Sequence, residues 1–211
     1  MQTPVKESGV RRYTFSQYMI KPRWISLWHQ LDEVLKFAPD SVLEVGPGPG
    51  TFKAAAQSFG LDVQTLDQNP ALNPDHVGSI LNLPFEKKHF DVVCAFQVLE
   101  HLPYEDSLKA FAEMVRVARK AVIISVPDRR SVWRYFFHIP LLGSKHLLLN
   151  SPFWRPQKHT YDGMHYWEIN KIGYAPERIA ADFGKHAKLL KQYRVKENSY
   201  HRFFIFEINA G

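Results

Sequence analysis

Short apolar, β-branched runs alternate along this chain with longer stretches of helical spacing. Ser41–Val45 (SVLEV), Leu61–Leu66 (LDVQTL), Asp91–Phe96 (DVVCAF) and Ala121–Val126 (AVIISV) are such runs, each followed by turn residues. Runs of this kind predict strands buried on both faces of a largely parallel sheet. Helical stretches lie between them at Thr51–Phe59 and Tyr104–Arg119. In the second, Leu108, Phe111, Ala112, Val115 and Ala118 recur every three or four residues and so share one face. Strands and helices alternating at this pitch predict βαβ units and a doubly wound, Rossmann-like α/β sheet. Towards the C-terminus the alternation breaks. Lys188–Val195 and Arg202–Ile208, joined by the polar stretch Lys196–His201, predict an antiparallel hairpin. Ala175–Phe183 predicts a helix with Pro176 and Glu177 in its first turn and Gly184 as its stop. Trp24–Phe37 predicts a helix against the sheet's edge or mouth, so residues 1–40 read as a helical cap on one domain spanning 1–211.

Residues 128–165 fit neither period. This segment holds six Lys/Arg against two Asp/Glu, which is four of the chain's six net positive charges. It also holds Trp133, Tyr135, Phe136, Phe137, Phe153, Trp154 and Tyr161. It follows the fourth parallel strand, the end of an open α/β sheet where ligands sit. It therefore reads as an inserted lid, with a satellite core under a long loop as the plainer alternative. At 211 residues with 45% hydrophobic content, the chain can bury a sizeable core without staples. Its single cysteine, Cys94, rules out an internal disulfide framework and fits a reducing compartment. The N-terminal stretch has no apolar core of leader length and no run approaches a membrane span, which predicts a cytoplasmic protein.

The stretch Glu44-Val45-Gly46-Pro47-Gly48-Pro49-Gly50 leaves one strand run and opens a helical one. Glycines at alternate positions turn the backbone tightly and let a ligand approach the main chain. The spacing is G-x-G-x-G, with Thr51 where a dinucleotide fingerprint has its third glycine. Pro47 and Pro49 delete two backbone N–H donors on which a pyrophosphate cradle would depend. Glu44 suits a cation better than a phosphate. Asp67, at the end of the second strand run, can take both hydroxyls of a ribose. A tight turn without a ligand and a turn aspartate are the plain alternatives for each feature alone. A ribose, no phosphate and a cationic centre together describe S-adenosylmethionine.

Four stretches in order, Ser41–Gly50 (SVLEVGPGPG), Thr65–Asn69 (TLDQN), Gly78–Phe85 (GSILNLPF) and Phe90–Leu102 (FDVVCAFQVLEHL), resemble the successive motifs of class I S-adenosylmethionine-dependent methyltransferases of small-molecule type. The resemblance implies a seven-stranded, mostly parallel sheet whose C-terminal hairpin is antiparallel. It implies that Glu44 faces the cofactor's amino group while Gly46, Pro47, Gly48 and Gly50 wrap its methionine half. Asp67 would hold the ribose, with Gln68 beside the adenine and Ser79, Ile80 and Leu81 along its edge. Many relatives have an aspartate where Ser79 stands. Gln97 and Val98 would touch the methionine portion near the sulfonium, Gln97 being otherwise a strand-end cap.

Methyl transfer is an in-line displacement at an already activated carbon, so the protein mainly positions and desolvates. A general base is needed only when the acceptor must lose a proton. His101 is the first candidate and His165 the second, with packing or capping as their plain alternative. Glu100-His101 looks like part of an E-x-x-E-H metal pattern, but Gln97 replaces its first glutamate, so no metal is expected. The aromatic, basic lid predicts a small acceptor of anionic or lipid-like character. Contact with a membrane surface through the same patch is a further reading. Three other functions stand as alternatives: an RNA methyltransferase, a non-catalytic cofactor-binding module acting through a partner, and an NAD-linked oxidoreductase. Nucleic acid is disfavoured as a partner because no base-methyltransferase loop motif follows the fourth strand.

Overall fold

The computed structural model describes residues 13–208. The first twelve residues of the expected N-terminal cap lie outside the described residues. A short helix α1 (Phe15–Tyr18) and a longer α2 (Lys21–Leu35) precede β1 (Val42–Val45) and α3 (Thr51–Ser58). Then come β2 (Val63–Asp67), β3 (His76–Val77), β4 (Phe90–Phe96), α4 (Tyr104–Val117) and β5 (Ala118–Pro127). The chain ends with β6 (Val132–Ile139), β7 (Gly143–Asn150), α5 (Pro176–Phe183), β8 (Lys188–Arg194) and β9 (His201–Glu207).

Seven strands form one sheet in the order β3-β2-β1-β4-β5-β9-β8. β3 through β5 run parallel, while β9 pairs antiparallel with both β5 and β8. This is the doubly wound sheet with an antiparallel C-terminal hairpin expected from the sequence. β1 and β4 are neighbours but not consecutive, so the winding reverses between them and opens a crevice at their C-terminal ends.

Strand alternation divides the core into two layers. Leu43, Val45, Val93, Ile124, Phe204 and Phe206 point towards α4 and α5, where Phe111, Met114 and Phe183 cover them. Val42, Val63, Val92, Ile123, Phe203 and Ile205 point the other way, against Leu27 and Val34 of α2 and Phe52 and Ala56 of α3. The same period-two rule sends Glu44 to the α2/α3 side, at the mouth of the sheet. α4 starts after Pro103 with Glu105 and Asp106 in its first turn and Arg116 in its last, complementing the helix dipole.

Three details depart from the sequence reading. The helix expected over Tyr104–Arg119 ends at Val117, because Ala118 already pairs with Phe90, just before a register shift that places one extra residue in β5. β3 is two residues long, too short to carry a period. Residues 132–150, read as a non-periodic lid, form a two-stranded hairpin of their own. Apolar residues occupy both faces of that hairpin, which hides its alternation.

Candidate active site

The glycine loop turns at the mouth between β1 and α3, with Gly46 at φ +69°, Gly48 at φ +55° and Gly50 at φ +75°. At Gly46 space matters as much as backbone angle: an added Cβ would lie 2.6 Å from Val98 Cγ2. At Gly48 it would come 3.3 Å from the Tyr18 hydroxyl, since Tyr18 of α1 and Tyr13 just before it lie over the loop. Gly50 faces open space and serves as the left-handed residue that starts α3.

A cavity of about 330 Å³ lies against this loop. Gly46, Gly48, Asp67, Gln68, Ser79, Ile80, Leu81, Gln97 and Val98 line it, and His101 stands on its wall. The structure thus brings together most residues that the sequence assigned to a cofactor. Glu44 and Pro47 line a smaller recess of about 50 Å³ with Tyr18, Arg23 and Gln30; Gly46 and Gln97 border both spaces. Gln97 sits at φ +59°, a left-handed conformation rare for a residue with a side chain. Its Nε2 donates to Ser125 Oγ at 3.3 Å, so the side chain is tethered at the junction.

Glu44 is 4% exposed, and one of its carboxylate oxygens, Oε2, has no hydrogen-bond partner. Burial pushes its carboxyl up from 4.5 to about 8, only partly offset by the Lys53 backbone N–H in the first turn of α3 and the Lys53 charge. A buried carboxylate with an unmatched oxygen at the end of a cradle fits a ligand that brings an ammonium group. Because the folded-state value is raised, Glu44 should cost stability progressively as pH rises from its unfolded value towards 8. The stability advantage of Glu44→Gln over the parent, measured by thermal unfolding, should therefore be small near pH 5 and grow up to pH 8. An advantage that stays constant with pH would contradict the buried, proton-holding state.

Asp67 accepts the Asn69 N–H at 2.8 Å while lining the cavity, and burial raises its carboxyl above the ordinary value. Ser79 Oγ accepts the Leu81 N–H at 3.2 Å, which shapes the loop and leaves backbone along that edge. This loop is buttressed from α4. Glu113 accepts the Leu83 N–H at 3.0 Å, and Arg116 donates to the Leu83 and Phe85 carbonyls at 3.0 and 2.8 Å.

His165, sixty-four positions beyond His101 in the chain, comes beside it, with ring centroids 5.0 Å apart. His101 Nδ1 lies 3.0 Å from the Met164 carbonyl oxygen, which can only accept, so Nδ1 carries the proton and Nε2 is the basic nitrogen. His165 Nδ1 lies 3.1 Å from Glu168 Oε1, which also accepts from the Tyr200 hydroxyl at 3.0 Å. Burial acts to raise the Glu168 carboxyl; the His165 and Tyr200 hydrogen bonds and the nearby Arg129 charge outweigh it and hold the carboxyl below its ordinary value. An imidazole oriented by a carboxylate is the arrangement of a general base. Next to the pair, Glu100 is buried with neither carboxylate oxygen hydrogen-bonded, and burial pushes its carboxyl up to about 8. Glu100, His101 and His165 each offer a donor atom within 4.8 Å of the others.

Sequence reasoning did not single out Tyr13, Tyr18, Arg23, Glu168 or Tyr200. Tyr13 lines the larger cavity, and Arg23 stacks 4.0 Å from the Tyr18 ring centroid above the loop. The available signals were aromatic and basic residues in the N-terminal cap and a glutamate three positions after His165. Of the 128–165 segment, Met164 and His165 reach His101, whereas no residue of the 132–150 hairpin lines the 330 Å³ cavity.

Residues 43–126 match a family described as a methyltransferase domain. No curated protein matches the chain in sequence. Among solved structures, the CcbJ methyltransferase from Streptomyces caelestis is 14% identical with a TM-score of 0.58, covering 90% of this chain and 97% of that one. The magnesium protoporphyrin IX methyltransferase from Synechocystis, solved with bound S-adenosylhomocysteine, is 12% identical with a TM-score of 0.58 over 95% and 93% of the two chains. The small RNA methyltransferase HEN1 is 15% identical with a TM-score of 0.59, covering 91% of this chain and 26% of that one. These likenesses establish the fold.

Proposed function

We propose that this chain, a class I S-adenosylmethionine-dependent methyltransferase, methylates a small or lipid-like acceptor bearing an anionic group. One observation carries the acceptor reading. Beyond Glu168, which holds His165, Arg129 borders a recess of about 380 Å³ lined by Phe153, Trp154, Arg155, Gln157 and Lys171. Three cations beside two aromatic rings suit a carboxylate or phosphate carried on an apolar body. On this reading residues 128–165 form the acceptor side of the site, their near ends meeting His101 and Glu168.

S-adenosylmethionine supplies a methyl carbon already activated by a sulfonium. Glu44 would face its ammonium group, Gly46 and Gly48 would admit its methionine half against the main chain, and Asp67 would take its ribose hydroxyls. Val98 and Ile80 would keep water from the walls of the cavity. His101 Nε2 would take the proton of a hydroxyl acceptor, with His165, held by Glu168, passing it onward.

The His101→Gln variant should lower kcat by roughly 10²–10⁴ and flatten the rise of rate with pH, while S-adenosylhomocysteine affinity is kept. A chelator should leave the parent's turnover unchanged. Loss of turnover restored by added divalent ion would assign Glu100, His101 and His165 to a cation instead.

A nucleic-acid acceptor is the second reading, because the same cations and rings could grip a backbone and stack bases, and HEN1 shares the fold. The deciding experiment supplies methyl-labelled S-adenosylmethionine with cell-extract fractions. Label in the lipid or small-molecule fraction supports the proposal, and label in RNA replaces it with the second reading. Label in no fraction leaves a cofactor-binding module.

A further inference from the structure

The β6–β7 hairpin is turned inside out for a ribbon facing water. Its two strands pair only with each other and form a sheet separate from the main one. Register and alternation place Arg134, His146 and Leu148 on one face. That face meets the body: Arg134 donates to the Glu197 carbonyl at 2.9 Å, and His146 lies 3.5 Å from the Glu197 carboxylate. The outer face is the more apolar of the two, although Phe136 on the opposite face is also 64% exposed. Trp133, Tyr135, Phe137, Ile139, Leu147 and Leu149 share it, each between 37% and 48% exposed. The turn adds Leu141 and Leu142, the former fully exposed and held at φ +70°, where glycine or asparagine is the ordinary choice.

Contiguous apolar surface of this extent marks a surface made to be covered, and a two-stranded ribbon alone is marginal in water. Charge decides what covers it. Residues 132–150 include no Asp or Glu, and Lys145 lies on the outer face, opposite Phe137. Arg129, Arg155 and Lys158 are exposed in the flanking segments. A second copy would bring the same positive surface against itself, whereas an anionic bilayer complements it. The distances suit a bilayer as well. Ile139–Gly143 is uncharged, and Lys145 lies two residues beyond, about 7 Å along a strand. Interfacial elements sink about 5–10 Å, which would leave Lys145 at the headgroups, and a ribbon tilted so that its outer face lies along the surface would bring Tyr135 and Trp133 to the polar boundary.

We propose that the outer face and the Leu141–Leu142 tip of this hairpin seat the enzyme on anionic lipid bilayers. The inference does not require the methyl acceptor to be a lipid, and its test reads binding without turnover. The full chain is sedimented with phosphatidylcholine vesicles, with or without one-third phosphatidylglycerol, while tryptophan emission is recorded. Binding to the anionic vesicles with a blue shift is expected. L141D/L142D should bind at least tenfold more weakly and K145E several-fold more weakly, both with unchanged S-adenosylhomocysteine affinity. No binding to anionic vesicles, or equal binding by L141D/L142D, would overturn the proposal. So would a concentration-dependent dimer that L141D/L142D dissolves, because the face would then belong to a second copy.

Discussion

Replacing Gly46 with alanine should weaken S-adenosylhomocysteine binding at least a hundredfold by calorimetry, roughly 2.7 kcal/mol or more, while the fold survives. Two costs coincide at this position. The residue sits at φ +69°, where any side chain is strained. Its new Cβ would also meet Val98 Cγ2 at 2.6 Å, a separation that real Cβ atoms do not tolerate. Either Val98 moves into the cavity or the loop shifts off its path, and each outcome spoils the same wall. The second substitution Val98→Ala separates the two costs. G46A/V98A should recover part of the affinity by removing the clash, but not all of it, because the backbone angle stays wrong. Full recovery would mean that the left-handed turn is irrelevant to binding. No loss in G46A would mean that the loop does not cradle the ligand at all. Gly50→Ala is the internal control: it has the angle without the clash and lines neither recess.

What could be read beforehand divides along a physical line. The parallel strands are legible because burial on both faces demands continuous apolar runs, and the turns after them demand Gly, Pro or Asp. Glu44 and Asp67 stand out for the same reason: each is an acid at the end of such a run, where packing alone would not choose it. The acceptor side obeys no local period. His101 and His165 meet only because the chain returns after the hairpin, and Glu168 becomes meaningful only once His165 is beside it. The β6–β7 ribbon has strand alternation, but Phe136 and Leu148 on the inner face mask it. At the end of α4, Ala118 and Arg119 are good helix formers, yet pairing of Ala118 with Phe90 overrides propensity there. Sequence pattern reports packing reliably where the packing is local and periodic.

The largest stability loss is expected at Asp128, the first residue after β5. Its side chain is fully buried, with Arg202 Nε at 2.8 Å and Arg194 Nε at 3.3 Å. Its Oδ1 also accepts the Arg130 N–H at 3.0 Å and an Asn170 side-chain N–H at 2.8 Å. One carboxylate therefore neutralises two largely buried guanidiniums and ties three segments together: the root of the hairpin, the stretch before α5, and the β8–β9 pair. Removing one partner of a buried ion group leaves uncompensated charge, at about 3–5 kcal/mol. For a chain of this size each kcal/mol moves the unfolding midpoint by about 2–4 °C, so Asp128→Ala should lower Tm by roughly 6–20 °C. Asp128→Asn can keep an oxygen for the Arg130 and Asn170 N–H groups, but it loses the charge and turns an NH2 donor towards Arg202 and Arg194; its Tm should still fall between parent and alanine variant. Function should divide in the same way. Below the new Tm, cofactor affinity should persist, because the glycine loop and Asp67 lie across the sheet at β1 and β2. Turnover should fall further, because Arg129 and Glu168, which position His165, hang from the same anchor. A variant with parental Tm would show that the two arginines are satisfied elsewhere. Equal loss of binding and turnover would show that the two halves of the site are not independently held.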